Sequence, residues 1–436
     1  MIKSFDTSRE STRRKSLKTW GIMPTITQLR CGPSSRSSVT PPLHEQPWKW
    51  FKQMVIYLQI SRRYWIGGTE IFQDCSQGSE ITLKWHLMTF STMKFWGKKQ
   101  EFENISPEQQ SDQNEFNSDS LNFEFSFDEV SKAISSCKIK KAYLEIPNEA
   151  AKNLNAKLLL HKFFNLCFKT GLNPTDWNYS DIKPIPKKEK DPRDPMNNRC
   201  ITIMCCIAKM YSKLLNTRLQ KYLDENNILV NEQNGFRASR SCIDHIYTLC
   251  AILWNRKLLG QDTFFAFIDF QKAFDSVERN FLLYKLSKIG VIGNFYNAIL
   301  SMYSNPKSRV ILNEFETEFF DCPIGVKQGD CLSPTLFAIF INDLADEIKA
   351  SNVGLDLDSE TFINILLYAD DIVLLAKSEH DLQSLLFLVE NWCRNWRLEV
   401  TLTKTNIMHV RSNRKQQSNF MFLFDRRPVP YCNSYK

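Results

Sequence analysis

The spacing of hydrophobic residues becomes regular only downstream of residue 120. Apolar side chains recur there at helical intervals, at Phe127, Val130 and Ile134. Ser126 stands at the N-cap position and Glu129 follows three residues later, which is the arrangement of a capping box. The pattern predicts a helix that begins after Ser126 and buries one face.

Three further segments extend this pattern toward the middle of the chain. Helical spacing covers residues 156–170, stops at Gly171, and returns over residues 201–223. Between them, residues 182–188 have the character of a short strand. Strand and helix signals then alternate to the end of the chain without a regular βαβ array or an internal repeat, so the expected fold class is α+β.

Residues 1–97 differ from the rest of the chain. They hold six of the ten tryptophans and a basic group at 13–15, but they show no helical or strand period. Two interpretations stay open: an arm that binds nucleic acid, or a leader that is poorly ordered or wrongly assigned to the chain, which we favour. Residues 98–120 are polar and acidic and predict a linker.

Composition and charge narrow the class of protein only slightly. The chain has 436 residues and a net charge of +8, which suits a polyanionic partner without proving one. Its 13 cysteines are scattered and lack zinc-ligand spacing, which favours a reducing, intracellular compartment. No apolar run is long enough to span a membrane, and the N-terminus does not resemble a secretory signal, so neither a membrane span nor secretion is expected.

A single carboxylate ends an otherwise apolar strand. Residues 264–270 are strand formers apart from Asp269, and Asp275 is predicted to cap the helix that follows, with Glu278 at the capping-box position and Gly290 at its end. A charge on such a strand is costly unless a partner compensates it. That partner is either a basic side chain of the core or a metal ion.

Two adjacent carboxylates lie between two further apolar runs. Residues 362–376 predict a hairpin whose tip carries Asp370 and Asp371. Like charges in a partly buried site oppose each other's ionisation, and a divalent cation reverses this effect. An Asp-Asp pair alone is more often a solvated turn. Only its combination with Asp269 indicates a site for metal-assisted phosphoryl transfer.

A glycine-containing loop, residues 323–334, leads into a long apolar segment. Ser333 is the predicted N-cap of a helix there and Pro334 its first residue. Glycines at 325 and 329 would let the main chain approach a ligand closely. Taken alone, the segment is also what a loop before a buried helix would contain.

Taken in order, these segments resemble motifs A, B and C of reverse transcriptases, in the versions found in non-LTR (LINE-like) retrotransposons. The matching patterns are Phe-x-Asp-x-x-x-Ala-Phe-Asp at 267–275, Gln-Gly-Asp-x-Leu-Ser-Pro at 328–334 and Tyr-Ala-Asp-Asp at 368–371. The likeness extends to residues 182–188 and 198–202, to Gln-Asn-Gly-Phe-Arg at 233–237, and to a segment similar to motif D at 396–405. It implies a right-hand polymerase fold, with fingers over 121–264 and a palm with an antiparallel sheet over 265–436.

The resemblance also implies which residues perform the chemistry. Asp269 and Asp370, with Asp371 as a third carboxylate, would hold two Mg²⁺ ions, for which Mn²⁺ can substitute. Lys404 would be the general acid that protonates the leaving pyrophosphate. Its alternative is a solvated surface lysine.

Four further residues are implied in substrate binding. Arg199 would lie near the incoming triphosphate, and Gln328 and Gly329 would contact the template or primer. Phe274 stands where the family places a side chain that excludes a ribose 2′-hydroxyl, although it is equally explained as a core residue.

The implied function is RNA-directed DNA polymerisation, in which a dNTP is added to a DNA primer on an RNA template. The implied setting is a ribonucleoprotein of the nucleus or cytoplasm, and the sequence sets no oligomeric state. Two departures from the family pattern lie at 141–147, where the chain is shorter, and at the C-terminus, where a truncated thumb is expected. They keep open a catalytically dead retrotransposon remnant that only binds RNA. A different palm enzyme, such as a nucleotidyl cyclase, is disfavoured by the motif at 328–334.

Overall fold

The computed structural model describes residues 118–435, apart from 138–141, 144–145, 148–149, 190, 192–196, 313–314, 358–361 and 412–414. The interpretations of residues 1–97 and of most of the predicted linker lie outside the described residues. The boundary between fingers and palm near residue 264 stays a prediction.

The helices of the described residues are numbered in chain order. They are α1 (Asp119–Asn122), α2 (Phe127–Ser135), α3 (Leu154–Thr170), α4 (Cys206–Glu225), α5 (Cys242–Leu258), α6 (Arg279–Lys288), α7 (Gly293–Met302), α8 (Ser333–Ala350) and α9 (Glu379–Trp396). Short 3₁₀ turns cover Ala150–Lys152, Thr175–Asn178 and Ala273–Ser276. None of these described helices is both long and apolar enough to cross a bilayer.

The strands are numbered in the same way. They are β1 (Ala142–Tyr143), β2 (Ile146–Pro147), β3 (Tyr179–Pro186), β4 (Asn198–Ile203), β5 (Thr263–Asp269), β6 (Lys307–Leu312), β7 (Phe315–Glu316), β8 (Phe320–Asp321), β9 (Leu355–Asp356), β10 (Phe362–Ile363), β11 (Ile365–Tyr368), β12 (Asp371–Ala376), β13 (Asn406–Val410), β14 (Leu423–Phe424) and β15 (Arg427–Pro428).

Four strands form the central sheet, in the order β11-β12-β5-β13, and every neighbouring pair is antiparallel. On one face α9 buries Trp392 beside Phe270. On the other face Ile252 of α5 packs with Phe265 and Leu375. Burial on both faces explains why β5 and β12 are apolar at almost every position. The expected antiparallel palm sheet is confirmed.

A second sheet has the order β4-β3-β6-β7, with β8 also paired to β6. Strands β3 and β6 run parallel, and the other pairs are antiparallel. This sheet carries the strand predicted at 182–188, which the structure places slightly earlier, at Tyr179–Pro186. The mixture of two sheets and their helices confirms the α+β class.

The first helical predictions are confirmed at the level of individual bonds. Ser126 N–H donates to Glu129 Oε2 at 2.8 Å, and Glu129 N–H donates to Ser126 Oγ at 3.2 Å, which completes the capping box of α2. Helix α3 ends at Gly171, whose φ of 64° lies in the left-handed region.

Three predictions of helix starts are wrong. The helix expected over 201–223 begins only at Cys206, because residues 198–203 pair along β3 and form β4. Asp275 does not cap α6, since a 3₁₀ turn holds it and the helix begins at Arg279. Ser333 is the first residue of α8 rather than its cap, and its buried hydroxyl lies 3.3 Å from the hydroxyl of Tyr303. Tertiary contacts override local capping signals at these places.

Candidate active site

Sheet register brings the predicted catalytic carboxylates to one end of the central sheet. Asp269, the last residue of β5, is the direct partner of Asp371, the first residue of β12. Paired residues on neighbouring strands project to the same face. Asp370 precedes Asp371 in the two-residue connection between β11 and β12. The predicted hairpin is confirmed, with Asp370 in the turn and Asp371 at the start of its second strand.

The turn itself is conformationally demanding. Tyr368 pairs with Asp371, so Ala369 and Asp370 are its two central residues. Ala369 has a φ of 58°, in the left-handed region where glycine is usual. A positive φ at the first central position matches the twist of a two-residue hairpin. An alanine therefore needs support from neighbouring groups to keep this shape.

The electrostatics of the carboxylates are unfavourable in the absence of a cation. Burial raises the pKa of Asp370 above its ordinary value, and the charge of Asp269 adds to this rise. The pKa of Asp371 is also raised, first by desolvation and then by the charges of Asp370 and Asp269. No salt bridge to either of these two residues occurs among the described residues. The ionised forms of Asp370 and Asp371 are therefore destabilised in the folded protein.

Lys404 pairs with Asp269 and partly offsets this repulsion. Its Nζ lies 3.0 Å from Oδ1 and 2.8 Å from Oδ2 of that carboxylate. The turn that carries Lys404 is attached to the same strand, because Thr401 N–H donates to the main-chain oxygen of Asp269 at 2.7 Å. The structure brings Lys404 to the carboxylates, while its role as general acid stays a prediction.

The donor set suits a hard divalent cation. Carboxylate oxygens are the side-chain ligands that Mg²⁺ prefers. Such an ion would favour the ionised forms of Asp370 and Asp371, whose pKa values desolvation raises. Within the described part of the chain, however, no group of three or more His, Cys, Asp or Glu side chains is arranged to hold a metal ion. Lys404 takes both oxygens of Asp269, so an ion would have to displace it.

Phe274 lies in the 3₁₀ turn just after β5. Its ring stacks on that of Phe337 in α8, with centroids 4.9 Å apart and planes inclined by 15°. The half-exposed Phe236 meets it edge-on at 6.0 Å. Phe274 is only partly buried and packs on α8, while its predicted role in excluding a ribose 2′-hydroxyl stays a prediction.

Arg199 lies exposed on β4, opposite Ile185 of β3. The pKa of the neighbouring Cys200 thiol is raised by desolvation and then by the charge of Asp275. The predicted contact of Arg199 with a triphosphate stays a prediction.

Gln328 and Gly329 dock onto the same strand. Thr202 N–H donates to the main-chain oxygen of Gln328 at 2.8 Å. Gly329 has a φ of 115°, and a Cβ there would lie 3.1 Å from the main-chain oxygen of Thr202. Lys209 Nζ donates to the oxygen of Gly329 at 2.9 Å. The left-handed conformation and the close approach to β4 both favour glycine at 329, while the predicted contact of Gln328 and Gly329 with template or primer stays a prediction.

Two residues at the site carried no predicted role. The side chain of Gln233 is fully buried against the turn at Ala369. Tyr435 stacks on Phe267 with centroids 4.1 Å apart, and its pKa is raised by burial and then by the charges of Asp371 and Asp269. The motif at 233–237 was a signal for the first, whereas no pattern in the sequence marks the second.

Comparison with known families identifies the family to which the chain belongs. Residues 185–424 match the family described as reverse transcriptase (RNA-dependent DNA polymerase). The chain belongs to the reverse transcriptase family. Members of this family generally use divalent metal ions, an RNA template and a primer.

Several of the curated relatives are RNA-directed DNA polymerases of non-LTR retrotransposons. The probable RNA-directed DNA polymerase from transposon BS of Drosophila melanogaster is 27% identical over 288 residues, which are 64% of this chain and 31% of that protein. The RNA-directed DNA polymerase from mobile element jockey of the same organism is 26% identical over 287 residues, again 64% and 31%. This chain thus spans less than a third of the length of either relative.

Among solved structures, a telomerase from Candida tropicalis bound to a fragment of telomeric RNA is 13% identical. The match covers 62% of this chain and 48% of that chain at a TM-score of 0.42. The likeness is too distant to carry an argument about function.

Proposed function

We propose that the protein is an RNA-directed DNA polymerase of retrotransposon origin that adds a dNTP to a primer 3′-hydroxyl. The observation that carries this proposal is the pairing of Asp269 with Asp371 across β5 and β12, with Asp370 in the adjoining turn. Family membership gives the reaction class, and this arrangement supports a two-metal mechanism in this particular chain.

Asp269 and Asp370, with Asp371 beside them, would hold two Mg²⁺ ions, or Mn²⁺ in their place. When bound, such ions favour ionisation of the attacking 3′-hydroxyl and stabilise the charge of the departing pyrophosphate. The main-chain turn at Ala369 orients Asp370, and the end of β5 orients Asp269. Metal binding would also favour the ionised forms of Asp370 and Asp371, whose pKa values are raised first by desolvation and then by neighbouring carboxylates.

Lys404 has two successive tasks in this proposal. In the free protein it neutralises Asp269 at a distance of 2.8 Å. With Asp269 engaged by a metal ion, the ammonium group of Lys404 would be free of that carboxylate and could donate a proton to the leaving pyrophosphate. A proton donor must lie within hydrogen-bond reach of its acceptor, and the exposed lysine stem gives Nζ that freedom.

The residues around the carboxylates would form the substrate pocket. Arg199 on β4 would pair with the triphosphate, because guanidinium groups bind phosphate oxygens in a bidentate manner. Phe274 would exclude a 2′-hydroxyl. Gln328 and Gly329 would guide the template or primer along the loop that docks on Thr202. The net charge of +8 would add salt-dependent attraction to nucleic acid, and we propose an intracellular ribonucleoprotein as the working form.

Primer extension on poly(rA)/oligo(dT) with Mg²⁺ and dTTP tests the proposal. Asp370→Asn keeps the shape of the side chain and removes its charge, so incorporation should fall to background. Asp356→Asn, at an exposed aspartate of β9 that pairs with Lys377, is the matched control and should retain activity. A folded wild-type chain that binds RNA without incorporating nucleotides would instead support the RNA-binding remnant.

A further inference from the structure

We propose that Gln233 is a positioning residue that holds the main chain of Ala369 and thereby directs the carboxylate of Asp370. The inference rests on the proposed function, because it treats Asp370 as a metal ligand. Gln233 comes 136 residues before Ala369 and belongs to no strand or helix.

The amide of Gln233 binds the turn from the interior of the protein. Its Oε1 accepts from Ala369 N–H at 3.0 Å and from Gly235 N–H at 2.7 Å. Its Nε2 donates to the main-chain oxygen of Ala369 at 3.4 Å. One side chain therefore contacts both polar main-chain groups of the residue before Asp370.

These bonds act on the most demanding conformation in the hairpin. Ala369 is buried and has a φ of 58°, which a side chain with a Cβ adopts reluctantly. A buried main-chain N–H without a partner is costly, so loss of the amide would favour another conformation of the turn. Since Asp370 follows directly, any such change redirects its carboxylate.

The segment around Gln233 is itself fixed to the edge of the central sheet. Leu367 N–H donates to the main-chain oxygen of Glu232 at 2.9 Å, and Asn234 N–H donates to that of Leu367 at 3.0 Å. The ring of His245 contacts both Leu367 and Asn234. Its Nε2 lies 2.9 Å from the main-chain oxygen of Leu367, and its Nδ1 lies 3.1 Å from Asn234 Nδ2. The amide of Gln233 is therefore carried by a segment that hydrogen bonds hold against β11.

Gly235 allows this close approach. A Cβ at that position would lie 2.1 Å from the main-chain nitrogen of Ala369 and 2.9 Å from Gln233 Oε1. Only glycine leaves room for the segment to reach the turn. The first and third residues of the Gln-Asn-Gly-Phe-Arg motif therefore act on the same residue, Ala369.

Substitutions can distinguish a role of Gln233 in orienting Asp370 from a contribution to the stability of the fold. Gln233→Met keeps the length of the side chain and removes the amide, whereas Gln233→Asn keeps an amide that is one methylene too short to reach Ala369. Asn364 is a matched control at the other end of the hairpin. It is also a fully buried amide, and it donates to the main-chain oxygens of Ile348 and Val353 at 2.9 and 3.0 Å. Asn364→Leu should destabilise the fold without redirecting Asp370.

Mn²⁺ binding to the purified chain, measured by electron paramagnetic resonance without substrate, gives a readout that does not depend on activity. Loss of a group that orients a metal ligand typically weakens metal binding about 10- to 100-fold. We expect a loss of about tenfold for both Gln233 variants, and wild-type affinity for Asn364→Leu at a temperature where all are folded. If Gln233→Met does not fold, Gln233→Asn alone tests the positioning role, because this substitution disturbs the interior least.

The outcomes distinguish this inference from the proposed function. A wild-type chain whose Mn²⁺ binding does not depend on Asp370 overturns both. Asp370-dependent binding that is unchanged in Gln233→Asn overturns the positioning role alone. An equal loss in Asn364→Leu also overturns it, since the effect would then reflect general destabilisation.

Discussion

Replacing Lys404 with methionine should tighten metal binding and slow catalysis. Methionine keeps much of the side-chain length and removes the charge. In the free protein Lys404 Nζ contacts both oxygens of Asp269, at 3.0 and 2.8 Å. A metal ion that enters the site must break this pair, so the lysine competes with the ion it later assists.

The solvent exposure of the Lys404–Asp269 pair limits how strongly Lys404 can compete with a metal ion for Asp269. The side chain of Lys404 is 61% exposed, and that of Asp269 is 19% exposed. An ion pair with one solvated partner is worth about 0.2–1 kcal/mol. Since each 1.4 kcal/mol corresponds to about a factor of ten, Lys404→Met should bind Mn²⁺ about 1.4- to 5-fold more tightly. A general acid contributes typically about 10²- to 10⁴-fold to a rate, so kcat should fall at least about 100-fold.

A second lysine pair at the opposite end of β5 provides the control. Lys415 Nζ lies 3.0 Å from Oδ1 of Asp262, and the two side chains are 50% and 27% exposed. Lys415→Met removes a similar ion pair from the flank of the same strand. It should leave both Mn²⁺ affinity and kcat unchanged. Affinity is measured without substrate, and kcat by single-nucleotide extension at saturating metal.

The expected changes in Mn²⁺ affinity and in kcat can be refuted separately. Weaker Mn²⁺ binding in Lys404→Met would mean that the lysine supports the metal site rather than competing for it. Tighter binding with unchanged kcat would keep the competition and refute the general-acid role. Equal effects in Lys415→Met would assign both changes to the electrostatics of the whole domain.

Three other substitutions test the remaining roles. The pKa of Asp370 is raised in the folded protein, so its ionisation costs stability as the pH rises above the unfolded value of about 3.9. Asp370→Asn should therefore raise the melting temperature of the metal-free protein at neutral pH and abolish the gain produced by Mn²⁺, and a lower melting temperature would contradict this. Phe274→Val should increase incorporation of rNTPs relative to dNTPs, whereas an unchanged ratio with reduced stability would make Phe274 a core residue. Arg199→Ala should raise the KM for dNTP about 10- to 150-fold, as expected for loss of a charge-assisted hydrogen bond worth about 1.5–3 kcal/mol, and an unchanged KM would remove it from the triphosphate site.

The elements that carry the candidate catalytic carboxylates could be predicted from the sequence because their signals are strong and local. Strands β5 and β12 are buried on both faces by α5 and α9, so they appear as continuous apolar runs. A carboxylate at the end of such a run stands out. The errors occur at residues with contacts distant in sequence, as at Ser333, which is the first residue of α8 and whose buried hydroxyl lies 3.3 Å from that of Tyr303.

Register and long-range pairing could not be predicted in the same way. Nothing in the sequence places Asp269 opposite Asp371 rather than one residue away, although a shift by one would move one of them to the other face of the sheet. Lys404 meets Asp269 across 135 residues, and Gln233 meets Ala369 across 136. Contacts at such separations leave no periodic trace in the chain.

The two long-range contacts solve different physical problems at the same site. The neighbouring carboxylates repel one another, and Lys404 supplies an opposite charge to Asp269. The turn that carries Asp370 requires a left-handed alanine, and Gln233 supplies hydrogen bonds to its main chain. Under the proposed function, charge compensation must be reversible for a metal ion to enter, which an exposed lysine side chain allows. Orientation of Asp370 must then persist through the reaction, which a buried amide allows.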